Sequence, residues 1–258
     1  MTVAVEAALE ALSSRLTDLG IADALWVGGS LATGDHVSGV SDLDLVAVTS
    51  QRLSGDVLTR VADIHEELDA GVARGMDLGC QYADAAHLLD TDVQHPTWTH
   101  GEMVDRVVSR VTRAELVLHG YAVLGPAPRD LLPPVAPDDV REAARAELTG
   151  YWSYAARRPW MFWRLPVMTD LGLTAMARGR HAMTTGELLT KSAAIDRAHA
   201  PEWLKDDLIA RRRGTRQTSP RLRAGYIAWR DVRRTTGRAR SAAWAAPLDR
   251  GEEGAGPR

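Results

Sequence analysis

The run Asp42-Leu43-Asp44-Leu45-Val46-Ala47-Val48 places two carboxylates at the head of a stretch that otherwise reads as buried strand. Side chains alternate along a strand, so Asp42 and Asp44 share one face. Like charges at that spacing repel unless something positive lies between them. An apolar strand belongs in the middle of a sheet, where solvation does not account for the pair. Carboxylate oxygens are hard ligands suited to Mg²⁺, which is commonly held by one or two protein carboxylates together with substrate phosphates. The strand therefore points to a metal.

Upstream lies Gly28-Gly29-Ser30, with eleven residues between Ser30 and Asp42. The glycines let backbone approach a ligand closely. Ser30 stands where "SLATGD" begins a helical turn, a place where free N–H groups favour phosphate. A Gly-Ser phosphate cradle beside a carboxylate pair suggests a site for a nucleoside triphosphate with metal. Two such ions can orient an attacking hydroxyl and stabilise a departing pyrophosphate. The plain alternative is a turn followed by a surface strand with solvated aspartates.

Around these motifs the chain alternates. Val5, Ala8, Leu9, Leu12, Leu16 and Leu19 follow a helical period. "IADALWVGG" reads as a strand, "GDVLTRVADIHEELDAGVARG" as a helix and "MDLGCQYA" as a strand. "RVTRAELVLHGYAVLG" reads as a helix running into a loop. This predicts an α/β (α+β) sheet domain over residues 1–130. Five of the twelve prolines crowd into Gly125–Asp139, too dense for helix interior and read as a linker. From there the pattern is helical, predicting an all-α bundle domain over 137–234. The small, charged, Gly-rich stretch 235–258 predicts a disordered tail.

The net charge of −3 gives no electrostatic case for a nucleic-acid partner. No apolar run is long enough to span a membrane. Cys80 is the only cysteine, which excludes an internal disulfide and fits a cytoplasmic home. The eight histidines show no zinc-binding spacing. Oligomeric state is left open.

Gly-Ser followed at about a dozen residues by Asp-x-Asp resembles the signature of the polymerase-β-like nucleotidyltransferases. Further segments resemble one branch of it, the aminoglycoside adenylyltransferases acting on streptomycin and spectinomycin: "RGMDLGCQYA", "HGEMVDRV", "LGPAPRDLLPPV" and "LTAMARGRHAMTTGELLTKSAAIDRA". The resemblance covers about residues 24–200. It implies that Asp42 and Asp44 hold Mg²⁺, that Asp77 completes an acidic triad as ligand or base, and that Gly29, Ser30, Ser41 and Lys191 meet the triphosphate of ATP. It also implies a small-molecule hydroxyl as acceptor, and hence an antibiotic-resistance activity. Two positions depart from the branch, Asp77 where it carries Glu and Met103 where it carries a drug-contacting Trp, which leaves the acceptor open.

Other residues keep two readings. Lys191 is a site residue or a solvated helix lysine. Glu102 extends the acidic cluster or caps a following helix. Asp170 meets a cationic sugar or caps a helix. The Trp152, Trp160 and Trp163 group is bundle core or the wall of an acceptor cleft. Beside transfer to an aminoglycoside stand transfer to another acceptor, a natural-product intermediate or a protein hydroxyl, and a relict nucleotide-binding module.

Overall fold

A computed structural model describes residues 2–244 of the chain. In chain order its elements are α1 (Val3–Asp18), β1 (Ala24–Val27), α2 (Gly29–Ala32), β2 (Leu43–Thr49), α3 (Gly55–Ala70), β3 (Leu78–Asp84), β4 (Gln94–Thr99), β5 (Glu102–Val107), α4 (Arg110–His119) and β6 (Tyr121–Leu124). There follow α5 (Pro128–Leu131), α6 (Pro137–Thr149), α7 (Tyr151–Ala156), α8 (Pro159–Arg164), α9 (Val167–Thr185), α10 (Lys191–Asp196), α11 (Glu202–Arg212) and α12 (Arg221–Trp244). The architecture is a mixed sheet with helices, followed by an all-helical C-terminal part.

The six strands run in the order β5-β4-β3-β2-β1-β6, and only the β2–β3 pair is parallel. A parallel neighbour needs a crossover, and α3 supplies it. Alternation divides β2 cleanly. Leu43, Leu45 and Ala47 enter a core with α1 and α3 that also takes Leu78, Cys80 and Tyr82. Val46 and Val48 enter a second core with Trp26, Leu116 and Leu132 on the opposite face. Asp44 shares the face of Val46, so two apolar layers hold the strand while its acidic end stays at the rim.

The helical half has its own core, in which Trp152, Phe162, Leu173, Met176 and Leu204 pack together. It meets the sheet half where Ala114 of α4 packs with Val140 and Ala144 of α6 and Ala182 of α9. The proline-rich stretch is folded, not loose. It contains α5, it buries Pro128 and Leu132, and the Pro126 carbonyl accepts a hydrogen bond from the Trp26 indole at 2.8 Å.

Three sequence expectations are corrected. Tyr121–Leu124 is the edge strand β6 paired with β1, not loop; four residues are too few for periodicity to reveal. The stretch read as helical from 137 is not continuous: it breaks at Gly150 into α6 and α7. The expected tail is helical through Trp244, because Val232, Thr235, Thr236 and Ala239 of α12 are buried against the bundle. Residues 245–258 of that expected tail lie outside the described residues.

Candidate active site

Strand register builds the acidic side of a cavity of about 420 Å³. Asp44 is in register with Gly79, and Val46 with Gln81, while Gln81 pairs onward with Thr97 of β4. Those positions share the face turned away from α1 and α3. The cavity floor is therefore Asp44 beside a residue with no side chain, then neutral hydrogen-bonding groups. Asp44 opens onto the cavity but is ringed by its walls. That enclosure, and next the Asp42 charge, pushes its carboxyl up to about 7, against the pull of Lys191 and Arg178. A carboxylate pair in this condition favours a cation between or beside the two.

The Gly28-Gly29-Ser30 turn is tied to β2 by a 2.8 Å hydrogen bond from the Gly28 amide to the Asp44 carbonyl. Gly29 has φ +54°, and a Cβ there would lie 1.9 Å from Asp44 Oδ2. Only glycine satisfies both constraints. Ser30 lines the cavity, and its hydroxyl is buried with no hydrogen-bond partner. An orphaned hydroxyl on a residue that lines a cavity has a hydrogen bond to offer a ligand oxygen once its side chain turns. Helix α2 is a single turn, so a phosphate role here rests on that hydroxyl and the glycine clearance more than on a helix dipole.

The opposite wall comes from the helical half. Gly186, in the left-handed region at φ +77°, ends α9 and turns the chain back. Thr190 caps α10 by accepting from the Ala193 amide at 3.2 Å. Lys191 is thereby the first residue of α10, and its Nζ lies 3.6 Å from Asp42 Oδ1 across the cleft. Arg178 of α9 lines the same cavity. Its guanidinium donates to the Leu189 carbonyl at 2.8 Å and pairs with Glu115 of α4.

The structure thus sets Asp44, Gly29, Ser30 and Lys191 in the cavity wall, with Asp42 just outside it and held against Lys191. It does not bring Ser41 or Asp77 to the cavity wall. Ser41 Oγ accepts from the Val37 amide at 3.0 Å and from Arg212 at 2.8 Å, so that buried hydroxyl is already engaged. Asp77 stands opposite Asp42, one step before the first register pair, but its φ of +48° breaks the strand geometry there. Its carboxylate pairs with His100 Nδ1 at 2.8 Å. The expected acidic triad is therefore a pair in this conformation, and among the described residues no three His, Cys, Asp or Glu side chains are grouped to hold a metal. Two carboxylates still fit Mg²⁺, whose remaining ligands are ordinarily water and substrate phosphate.

The residues with two readings are also placed. Glu102 opens the edge strand β5 and is exposed, so it caps no helix. Asp170 lies in the first turn of α9, paired with Arg211 through two hydrogen bonds of 2.6 and 2.8 Å. Trp152 is core at 5% exposure, whereas Trp160 and Trp163 stand exposed. Sequence reading missed Arg178, Glu115, Gln81 and Arg212. Gln81 was reachable, since it shares the Asp44 face of an adjacent strand. Nothing local separates Arg178 or Arg212 from the rest of the 31 Lys and Arg.

No family profile matches the chain, and no curated protein does. A solved structure does: the spectinomycin adenyltransferase AAD(9) from Enterococcus faecialis, determined with ATP and spectinomycin. It superposes with a TM-score of 0.64 at 12% identity, over 92% of this chain and 98% of that one. The likeness spans both the sheet and the helical half, and so this chain has the two-part fold of an adenyltransferase of that kind.

Proposed function

We propose that the protein is a nucleotidyltransferase that moves AMP from ATP to a hydroxyl of a small molecule and releases pyrophosphate. The observation that carries this is that Asp44 shares one cavity with Lys191 and Arg178, with Asp42 held against Lys191 at its edge and Ser30, its hydroxyl unpartnered, in the wall. The shared fold with an adenyltransferase supports it.

In this reading Asp42 and Asp44 hold two Mg²⁺ ions, which when bound neutralise charge on the phosphates. The Ser30 hydroxyl donates to a phosphate oxygen that the Gly29 backbone allows to come close. Lys191 and Arg178 supply positive charge where pyrophosphate develops as leaving group. The chain divides accordingly into a nucleotidyltransferase domain, residues 1–130, and a helical domain that begins at residue 137 and runs through α12, with the nucleotide between them. Among the described residues no helix is long and apolar enough to cross a membrane. The lone buried Cys80 supports a cytoplasmic site of action. The acceptor is an aminoglycoside-like molecule, with another small-molecule or protein hydroxyl as the second candidate.

Mass spectrometry of an aminoglycoside and polyol panel incubated with protein, ATP and Mg²⁺ tests this. A gain of one AMP on an acceptor, lost in Asp44→Asn, is expected. Folded protein that binds ATP with Mg²⁺ but turns over none with any acceptor would return the relict reading.

A further inference from the structure

At one wall of the cavity, which Asp35 lines, the loop between α2 and β2 is bolted to the helical half by a compact polar cluster. Asp35 Oδ2 accepts from the Ser192 backbone amide at 3.0 Å and from Arg212 Nη2 at 3.1 Å. Arg212 also donates to the Asp35 carbonyl, and its Nη1 reaches Ser41 Oγ at 2.8 Å. Both charged side chains of this pair are only 12% exposed, so these are not solvated surface charges. Burial pushes the Asp35 carboxyl up, but the Ser192 hydrogen bonds and the Arg212 charge outweigh it and hold the group below its usual range.

The cluster grips the two segments that carry the cross-cleft contact. On the sheet side it fixes Asp35 and Ser41, and Ser41 immediately precedes Asp42. On the helical side it fixes Ser192, and Lys191 immediately precedes Ser192. We infer that Asp35 and Arg212 are positioning residues that set Lys191 against the Asp42–Asp44 pair, holding the two halves in the nucleotide-ready arrangement before any ligand arrives. A pre-set arrangement of this kind lowers the ordering cost of binding. The consequence for ATP rests on the nucleotide reading above; the latch itself does not.

Two readouts separate these. Asp35→Ala and Arg212→Ala are each made in the wild-type chain and in Lys191→Ala, with Asp35→Asn as the milder variant should Asp35→Ala fail to fold. By titration calorimetry with Mg²⁺, each single change is expected to weaken ATP binding by about tenfold, the size of coupling found within one network. In the Lys191→Ala background the same changes should then have little further effect. An equal loss in both backgrounds overturns the positioning role. Without nucleotide, hydrogen exchange of the Ser192 amide and of residues 36–42 should quicken in the Asp35 variants, and unchanged exchange overturns the latch. A wild-type chain that binds no ATP refutes the nucleotide reading alone and leaves the exchange result to decide the latch.

Discussion

The sheet half and the helical half contribute opposite charges by different means. In the sheet half the carboxylates Asp42 and Asp44 are two residues apart, one immediately before β2 and one on it, so the local chain alone keeps them close. In the helical half Arg178, Lys191 and Arg212 come from α9, α10 and α11, and converge only because those helices share a core. One set is ordered by local geometry, the other by packing between distant segments. Acidic chemistry on this fold is thus written in a short motif, while the charges that answer it are scattered.

The strongest way to break that contrast is to neutralise the local set. Asp42→Asn or Asp44→Asn should lower turnover by about 10²–10³, roughly 3–4 kcal/mol of barrier. Stability without metal should not fall, because a like-charge repulsion is relieved. Steady-state kinetics with thermal melts checks both, and wild-type turnover in either variant would remove the pair from the chemistry.

The two halves should also part in acid, through His65. This imidazole is wholly buried in the sheet half, bonded to the Tyr82 hydroxyl at 2.7 Å and stacked on Trp98. Burial pushes its pKa down to about 3 from an ordinary 6.5. The unfolded chain takes a proton below about 6.5 that the folded chain refuses until about 3. This contribution to stability is therefore full above about 6.5 and is lost as pH falls toward 3, by at most about 1.4 kcal/mol per pH unit. Denaturant melts from pH 7 to 4 should show a shallower acid decline in His65→Gln, and parallel curves would refute it.

Removing one member of the scattered set should cost less than removing a carboxylate. Lys191→Ala is expected to weaken ATP binding by about tenfold, near 1.4 kcal/mol, in calorimetric titration. A change within about 0.5 kcal/mol would make it an ordinary surface lysine.

The smallest effect is expected at Asp77, which sharpens the contrast within the sheet half itself. With its carboxylate turned to His100, Asp77→Asn should lower turnover by less than about tenfold, against 10²–10³ for Asp44→Asn. A loss equal to that of Asp44→Asn would mean that Asp77 leaves His100 and acts as the base.

Much of the sheet half was legible in the sequence. The period of α1, the alternation of β2, the glycine turn before α2 and the carboxylate pair follow from contacts within a few residues. The helical half was legible as helices but not as a wall of the site. Lys191 was found through a resemblance, and Arg178 and Glu115 not at all, because an ion pair 63 residues apart leaves no local trace. Ser41 and Asp77 show the converse. Their positions along the chain suited the site, but the partners that claimed them, Arg212 and His100, arrive from other elements.

By itself, then, the sequence determined that two like charges stand two residues apart at the head of a strand behind a glycine turn, since that spacing and a missing Cβ are properties of the local chain. Which cations face that pair, which serine and aspartate turn elsewhere, and that the proline-rich stretch packs instead of swinging free were decided only by tertiary structure. Those outcomes depend on which distant groups reach a buried partner first, and the energy of such a contact is set by burial and geometry that no neighbouring residue encodes.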